Sequence, residues 1–359
     1  MNGVGGVKSL HWPNTLLLTL NLPLSPLECP QMSSVLRSMS PSTDQYLRFW
    51  GVRGNIPTPG QDFLRYGGNT ACVELCIRGQ RLIFDAGTGL KTLGTALIQE
   101  TYSQTDPQPD SQPDPQAHSQ PNQGISEQNG SPLKLHLFFT HSYWDRIQGF
   151  PFFKPAFSPN SEIHIYGAIA MNGASIKQRL MDQMTRPGFP VPLHAMKAQL
   201  TFFDLAPSAI MTIPTSEGPV EIETGVINSA DSSLGYRVSW DDRVIVYATD
   251  VDTQAGHLNG VLLHLAQDAD VLIYDVSHPY YCTQSDHHNS DRVGFQKRLW
   301  KSALELTEAT QAKRLILFHH DPWCQDQDLD QIETELRLHC DRGFLAQEGM
   351  FLDLNCLEF

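Results

Sequence analysis

Polar residues with chemical capacity recur at the ends of short apolar runs: Asp85 in FDAGTG, His141 and Asp145 in LFFTHSYWDRIQGF, Asp250 in VYATDVD, and His319 with His320 in LILFHHDP. A sheet presents strand-end residues to a shared cleft, so these side chains are candidates for one site. Histidines and carboxylates gathered in a cleft ligate metal ions or exchange protons. Taken singly each is weak, because a histidine after a strand is more often structural or exposed, and a strand-end Asp more often caps a turn. Their joint order along the chain is the stronger signal. The Gly67-Gly68-Asn69-Thr70 turn is not read as a phosphate cradle, since no Lys follows at the required spacing and no helix opens there. The pairs Phe152-Phe153 and Tyr280-Tyr281 flank a cleft or pack a core, the second being the commoner role, and His287 and His288 sit in a polar loop that reads as exposed.

The elements that would position these residues are short apolar runs bounded by Gly and Pro, which read as strands joined by loops. Runs at 46–52, 71–77 and 81–84 form an opening strand set, followed by strands at 133–140, 162–166, 199–204, 220–227, 235–240, 243–248, 271–275 and 314–318. Helical spacing is visible at 299–312 and again at 329–338. Mixed strands with flanking helices indicate a layered α/β or α+β sandwich. Residues 1–44 read as an irregular N-terminal extension, and 45–359 as one domain. Within it the stretch 101–132 is dominated by Gln, Pro, Ser and Asp, with Ile125 its only branched aliphatic, so it is expected to be a disordered surface insert.

With 359 residues and 40% hydrophobic content, the chain can bury a sizeable core. Its formal net charge of -14 argues against diffuse attraction to nucleic acid or anionic lipid. No stretch approaches the ~18 apolar residues that a membrane span needs. The seven cysteines include no C-x-x-C pair, so a reducing, cytoplasmic setting is expected.

From about Leu47 onward the chain resembles the metallo-β-lactamase-fold hydrolases, in the branch of phosphodiesterases and the tRNA-maturing ribonuclease. The likeness runs through LRFWGVRGNIPTPG, RYGGNTACVEL, LIFDAGTGL, the run from Trp144 to Phe153, LGYRV, VYATD, LIYD and RLILFHHDP. It implies an αββα four-layer sandwich of the α+β class, with a metal cleft along one edge of two sheets. The family's metal loop reads H-x-H-x-D-H and serves two cations about 3.5–4 Å apart that share a hydroxide nucleophile. Here the loop reads His141-Ser142-Tyr143-Trp144-Asp145-Arg146 and lacks two of those histidines. A third family histidine falls in Asn228-Ser229-Ala230 and is absent too. The resemblance leaves His141, Asp145, Asp250 and His319 as metal ligands, with Asp85 bracing the loop through hydrogen bonds. The family's proton-donating histidine aligns with Lys297 when no gap is opened, and with the His287-His288 segment when one is.

Without two divalent cations, Asp145 and Asp250 would be close like charges, which raises a carboxylate pKa or costs several kcal/mol. Arg146 can fork toward a carboxylate, and Lys297 would add a second positive charge, so cationic side chains are expected to replace at least one metal. Two functions are compatible with this. One is a weak or inactive hydrolase relative that binds a small-molecule or phosphodiester ligand in the cleft and carries no metal. The other is a one-metal hydrolase of a phosphodiester or small ester, with a Zn or Mn ion at Asp145, Asp250 and His319 and with Asp145 and Lys297 as catalytic residues. A docking role for the Gln/Pro-rich insert rests on composition alone, and a homodimer stays an open alternative.

Overall fold

Strand patterning divides the apolar residues among three cores. Within the run Gln80–Phe84, Leu82 and Phe84 belong to one buried cluster while Ile83 belongs to another. The run Leu315–Phe318 does the same, with Ile316 and Phe318 on one side and Leu315 and Leu317 on the other. A strand turns successive side chains to opposite faces, so such runs must be covered on both faces.

The computed structural model describes residues 44–103, 132–230, 232–252, 259–276 and 292–357, with the side chains of 102–103 and 292–299 outside that set. The first sheet uses β1 (Gln45–Gly51), β2 (Cys72–Ile77), β3 (Gln80–Phe84), β4 (Leu133–Phe138), β5 (Ser161–Ala168) and β6 (Gln199–Leu205). The second uses β7 (Ile210–Ile213), β8 (Val220–Asn228), β9 (Ser233–Trp240), β10 (Arg243–Ala248), β11 (Val271–Asp275), β12 (Leu315–Phe318) and β13 (Gly343–Leu345). A last strand, β14 (Phe351–Asp353), returns to the first sheet beside β1. The spatial orders are β14-β1-β2-β3-β4-β5-β6 and β13-β12-β11-β10-β9-β8-β7.

The two sheets face each other across Phe49, Phe84, Phe138, Tyr236, Tyr247 and Phe318. Helices α1 (Gly89–Ser103) and α3 (Ile176–Gln183) cover the outer face of the first sheet, and α2 (Trp144–Ile147) is the single turn that carries Asp145 and Arg146. Helices α4 (Gly260–Ala266), α5 (Arg292–Thr310) and α6 (Asp326–His339) cover the second. The layers are therefore αββα, an α+β sandwich. Among the described residues no helix is long and apolar enough to cross a membrane.

Several boundaries differ from the sequence reading. Thr101, assigned to the insert, is in the last turn of α1, where its hydroxyl donates to the Leu97 carbonyl at 3.0 Å. The strand expected to run to Thr140 ends at Phe138, and the Thr140 amide donates to Asp85 Oδ1 at 2.9 Å instead of to a neighbouring strand. The extension 1–43, the stretch 104–131, the Tyr280-Tyr281 pair, and His287 with His288 lie outside the described residues.

Candidate functional site

The strands that end at one rim of the sandwich deliver the polar residues. Parallel pairing of β3 with β4 and of β10, β11 and β12 with one another brings their C-terminal ends to that rim, so the residues just beyond them become neighbours. Asp85, Asp250 and His319 follow β3, β10 and β12, and all three have left-handed backbone, with φ of 59°, 56° and 62°. A non-glycine residue holds that conformation at a cost of about 1–3 kcal/mol, and only where its surroundings impose it.

The loop carrying α2 is pinned from beneath. The Ala86 amide donates to the Arg146 carbonyl at 2.7 Å, the Gly149 amide donates to the Ala86 carbonyl at 2.8 Å, and the Thr70 hydroxyl donates to the Asp145 carbonyl at 2.9 Å. A Cβ at Gly149 would lie 1.9 Å from the Gly87 carbonyl oxygen, so this crossing of two loops requires glycine. The Gly67-Gly68-Asn69-Thr70 turn, which has no phosphate-binding signature, thus serves as a brace for the site.

Arg146 occupies the centre and is wholly buried. Its Nη1 donates to Asp85 Oδ2 at 3.0 Å and its Nη2 to Asp250 Oδ2 at 2.9 Å. Nε lies 3.3 Å from Asp145 Oδ2, and Nη2 lies 3.5 Å from Asp275 Oδ2. One guanidinium therefore contacts four carboxylates. Burial works against its charge, but Asp250, Asp85 and Asp145 raise its pKa well above the ordinary arginine value.

His319 is the second cation. Its Nε2 is 2.9 Å from Asp145 Oδ2 and its Nδ1 is 2.9 Å from Asp275 Oδ2, so a carboxylate receives each ring N–H. Burial and the neighbouring Arg146 both push its pKa down, yet the two carboxylates prevail and raise it to about 9. Burial alone would raise Asp145, but Arg146 and His319 hold it well below the usual carboxylate range. His141 completes the group, with Nε2 3.1 Å from Asp250 Oδ2 and Nδ1 3.0 Å from the Thr140 hydroxyl.

Asp85 accepts from the Thr140 amide and hydroxyl, from Arg146 and from the Tyr247 hydroxyl at 2.9 Å, and has no exposure. Burial pushes its carboxyl up while Arg146 and His141 pull it back. The structure thus brings Asp85, His141, Asp145, Arg146, Asp250 and His319 into one connected cluster. Lys297 is in α5, and its side chain lies outside the described residues. Tyr143 and Ser229 are exposed, with the Tyr143 ring edge-on to His141 at 4.6 Å.

Asp275 is the residue that sequence reading did not single out. As the last residue of VLIYD it looks like an ordinary strand end, and only the parallel register that sets it opposite Phe318 reveals its neighbours. Its Oδ2 also receives the Asp250 amide at 2.8 Å. Asp250, Asp275 and His319 each offer a ligand atom within 4.8 Å of the others, the one such group among the described residues that could hold a metal ion. As arranged, these donors do not fit an ion, because Arg146 Nη2 already lies 2.9, 3.5 and 3.2 Å from their atoms.

Among solved structures, human tRNase Z (short form) superposes with a TM-score of 0.51 at 16% identity, covering 86% of this chain and 99% of that one. The metallo-beta-lactamase fold protein YhfI from Bacillus subtilis gives 0.51 at 15%, with 86% and 98% covered. A diphosphatase from the PhnP family gives 0.51 at 14%, with 86% and 97% covered. No curated protein sequence matches the chain. Residues 104–320, more than half of the chain, match the family described as the Beta-lactamase superfamily domain. With that match and this architecture together, the chain belongs to the beta-lactamase superfamily and carries its metallo-β-lactamase fold.

Proposed function

We propose that this chain is a superfamily member that binds a small-molecule or phosphodiester ligand in its cleft and is weak or inactive as a two-metal hydrolase. One observation carries the reading: the fully buried Arg146 forks between Asp85 and Asp250 and lies within 3.5 Å of Asp145, Asp275 and His319. Two-metal hydrolysis needs cations at this place to generate hydroxide and to stabilise the charge that develops on the substrate. A guanidinium supplies charge but no open coordination position for water. The protonated His319 adds a second fixed charge, so the four carboxylates are compensated in part from within the chain.

The chain's own residues then bind and orient. The Asp250 side chain keeps a quarter of its surface open, and the exposed rings belong to Tyr143, which lies edge-on to His141, and to Trp144, which precedes Asp145 in sequence. A ligand would meet this aromatic and acidic rim before it reached the buried cluster. The similar structures, a tRNase and a diphosphatase, make phosphate esters the first ligand class to try. Among the described residues Cys72, Cys76, Cys324, Cys340 and Cys356 form no disulfide, in keeping with a reducing, cytoplasmic setting.

A second reading, hydrolysis with one metal, is favoured by the convergence of Asp250, Asp275 and His319. Metal analysis of untagged chain purified without chelator, combined with a bis(p-nitrophenyl) phosphate assay in added Zn²⁺ or Mn²⁺, separates the two. The expected result is no stoichiometric ion and no hydrolysis above background. A tightly held ion that is lost in Asp250→Ala, together with turnover, would establish the one-metal enzyme instead.

A further inference from the structure

We infer that Arg146 and a divalent cation compete for one donor set, Asp250, Asp275 and His319, so that the guanidinium is the resident cation and its removal opens a divalent-metal site. This rests on the reading that the cleft carries no metal, and it adds the identity of the latent ligands, Asp275 among them.

Geometry supplies the first support. The three ligand atoms lie within 4.8 Å of one another, and a single atom, Arg146 Nη2, is within 3.5 Å of all three residues. Two carboxylates and one imidazole form a hard oxygen and nitrogen set, which suits Zn²⁺ or Mn²⁺.

The surroundings of His319 are the second support. Its Nδ1 is the ring nitrogen on the triad side, 2.9 Å from Asp275 Oδ2, while Asp145 holds Nε2 at 2.9 Å. A carboxylate on the far nitrogen of an imidazole is the arrangement that orients a histidine toward a metal. The Asp250 backbone is fixed as well, through its amide bond to Asp275. These donors are thus held by contacts other than Arg146 and would stay in place without it.

Access and charge are the third. Asp250 is the member of the cluster with its side chain 25% exposed, which gives an ion a way in once the guanidinium is gone. Truncating Arg146 would leave Asp85, Asp145, Asp250 and Asp275 with one fewer compensating cation, and buried uncompensated carboxylates favour uptake of any cation that fits.

The test compares the full wild-type chain with Arg146→Ala and with Arg146→Ala/Asp275→Asn, each titrated with Mn²⁺ and with Zn²⁺ by calorimetry and by thermal unfolding. Arg146→Ala is expected to bind a single ion and to melt higher with it, wild type to do neither, and the double variant to bind about tenfold or more weakly. A folded Arg146→Ala that takes up no ion, or a wild type that binds as tightly as Arg146→Ala, overturns the competition. Should Arg146→Ala be unfolded in metal-free buffer, recovery of the folded circular-dichroism spectrum on adding Mn²⁺ supports the proposal and failure to recover sinks it. Hydrolysis by a wild type that holds no ion would defeat the functional reading and leave the competition standing.

Discussion

Replacing Arg146 by methionine keeps most of its length and removes its charge, so that Asp85 and Asp250 each lose one charged donor. Breaking a buried ion network by deleting one partner costs roughly 3–5 kcal/mol, much more than the pair contributes over a well-packed apolar substitute. Arg146→Met should therefore lower the urea midpoint by that equivalent in metal-free buffer, while Ser229→Ala, at an exposed turn position, stays within about 0.5 kcal/mol of wild type. An Arg146→Met chain as stable as wild type would mean that the carboxylates find solvent instead. At this scale much of the site was legible, because charged and imidazole side chains at the ends of apolar runs have few other uses in such numbers. Asp275 was not, because nothing in VLIYD distinguishes a strand-capping carboxylate from one held 2.9 Å from a histidine just beyond the neighbouring strand. The left-handed backbone at Asp85, Asp250 and His319 was equally hidden, since no residue type at those positions announces it.

Elements report on a different balance, because their side chains face the inter-sheet core and not the rim. His136 on β4 lies between Phe138 and His164 and shares a 3.3 Å hydrogen bond with the Tyr166 hydroxyl. Burial is the main cause, with His164 beside it, of a pKa lowered to about 4. The folded value lies below the unfolded value of about 6.5, so the folded state resists protonation at this ring. Stability from this group is fully present above about pH 6.5 and is lost as pH falls from there through about 4, reaching on the order of 3 kcal/mol. Urea unfolding at pH 7.5 and 4.5 should show a smaller acid loss in His136→Phe than in wild type, and equal losses would place the acid sensitivity elsewhere. Strands with apolar alternation were readable from the sequence to within a residue or two. Helix α1 was not, because Gly94 and several threonines dilute its helical signal, and its outer layer is defined by what it packs against: Gly94 has no room for a Cβ, which would come 2.7 Å from the Phe153 ring. Strand β7 was missed for a related reason, since it is a short edge strand with only Ile213 buried.

For the whole molecule, the cluster is a clasp between the two sheets. Asp85, His141, Asp145 and Arg146 come from loops of the first sheet, whereas Asp250, Asp275 and His319 come from the second, and the guanidinium joins both sets. At the opposite end the sheets are held by other means, such as the Trp240 indole donating to the Gln45 side chain at 2.9 Å. Local opening in proteins follows such boundaries, with regions poor in apolar contacts opening at lower free energy than the core strands. Loss of the clasp should therefore be felt unevenly. Hydrogen exchange of Arg146→Met is expected to quicken in 139–149, 249–252 and 319–321, and to stay near the wild-type rate around 238–245. If exchange instead rises by the same factor everywhere, the cluster contributes only to global unfolding. The four carboxylates around Arg146 would then have no separate part in holding the rim shut.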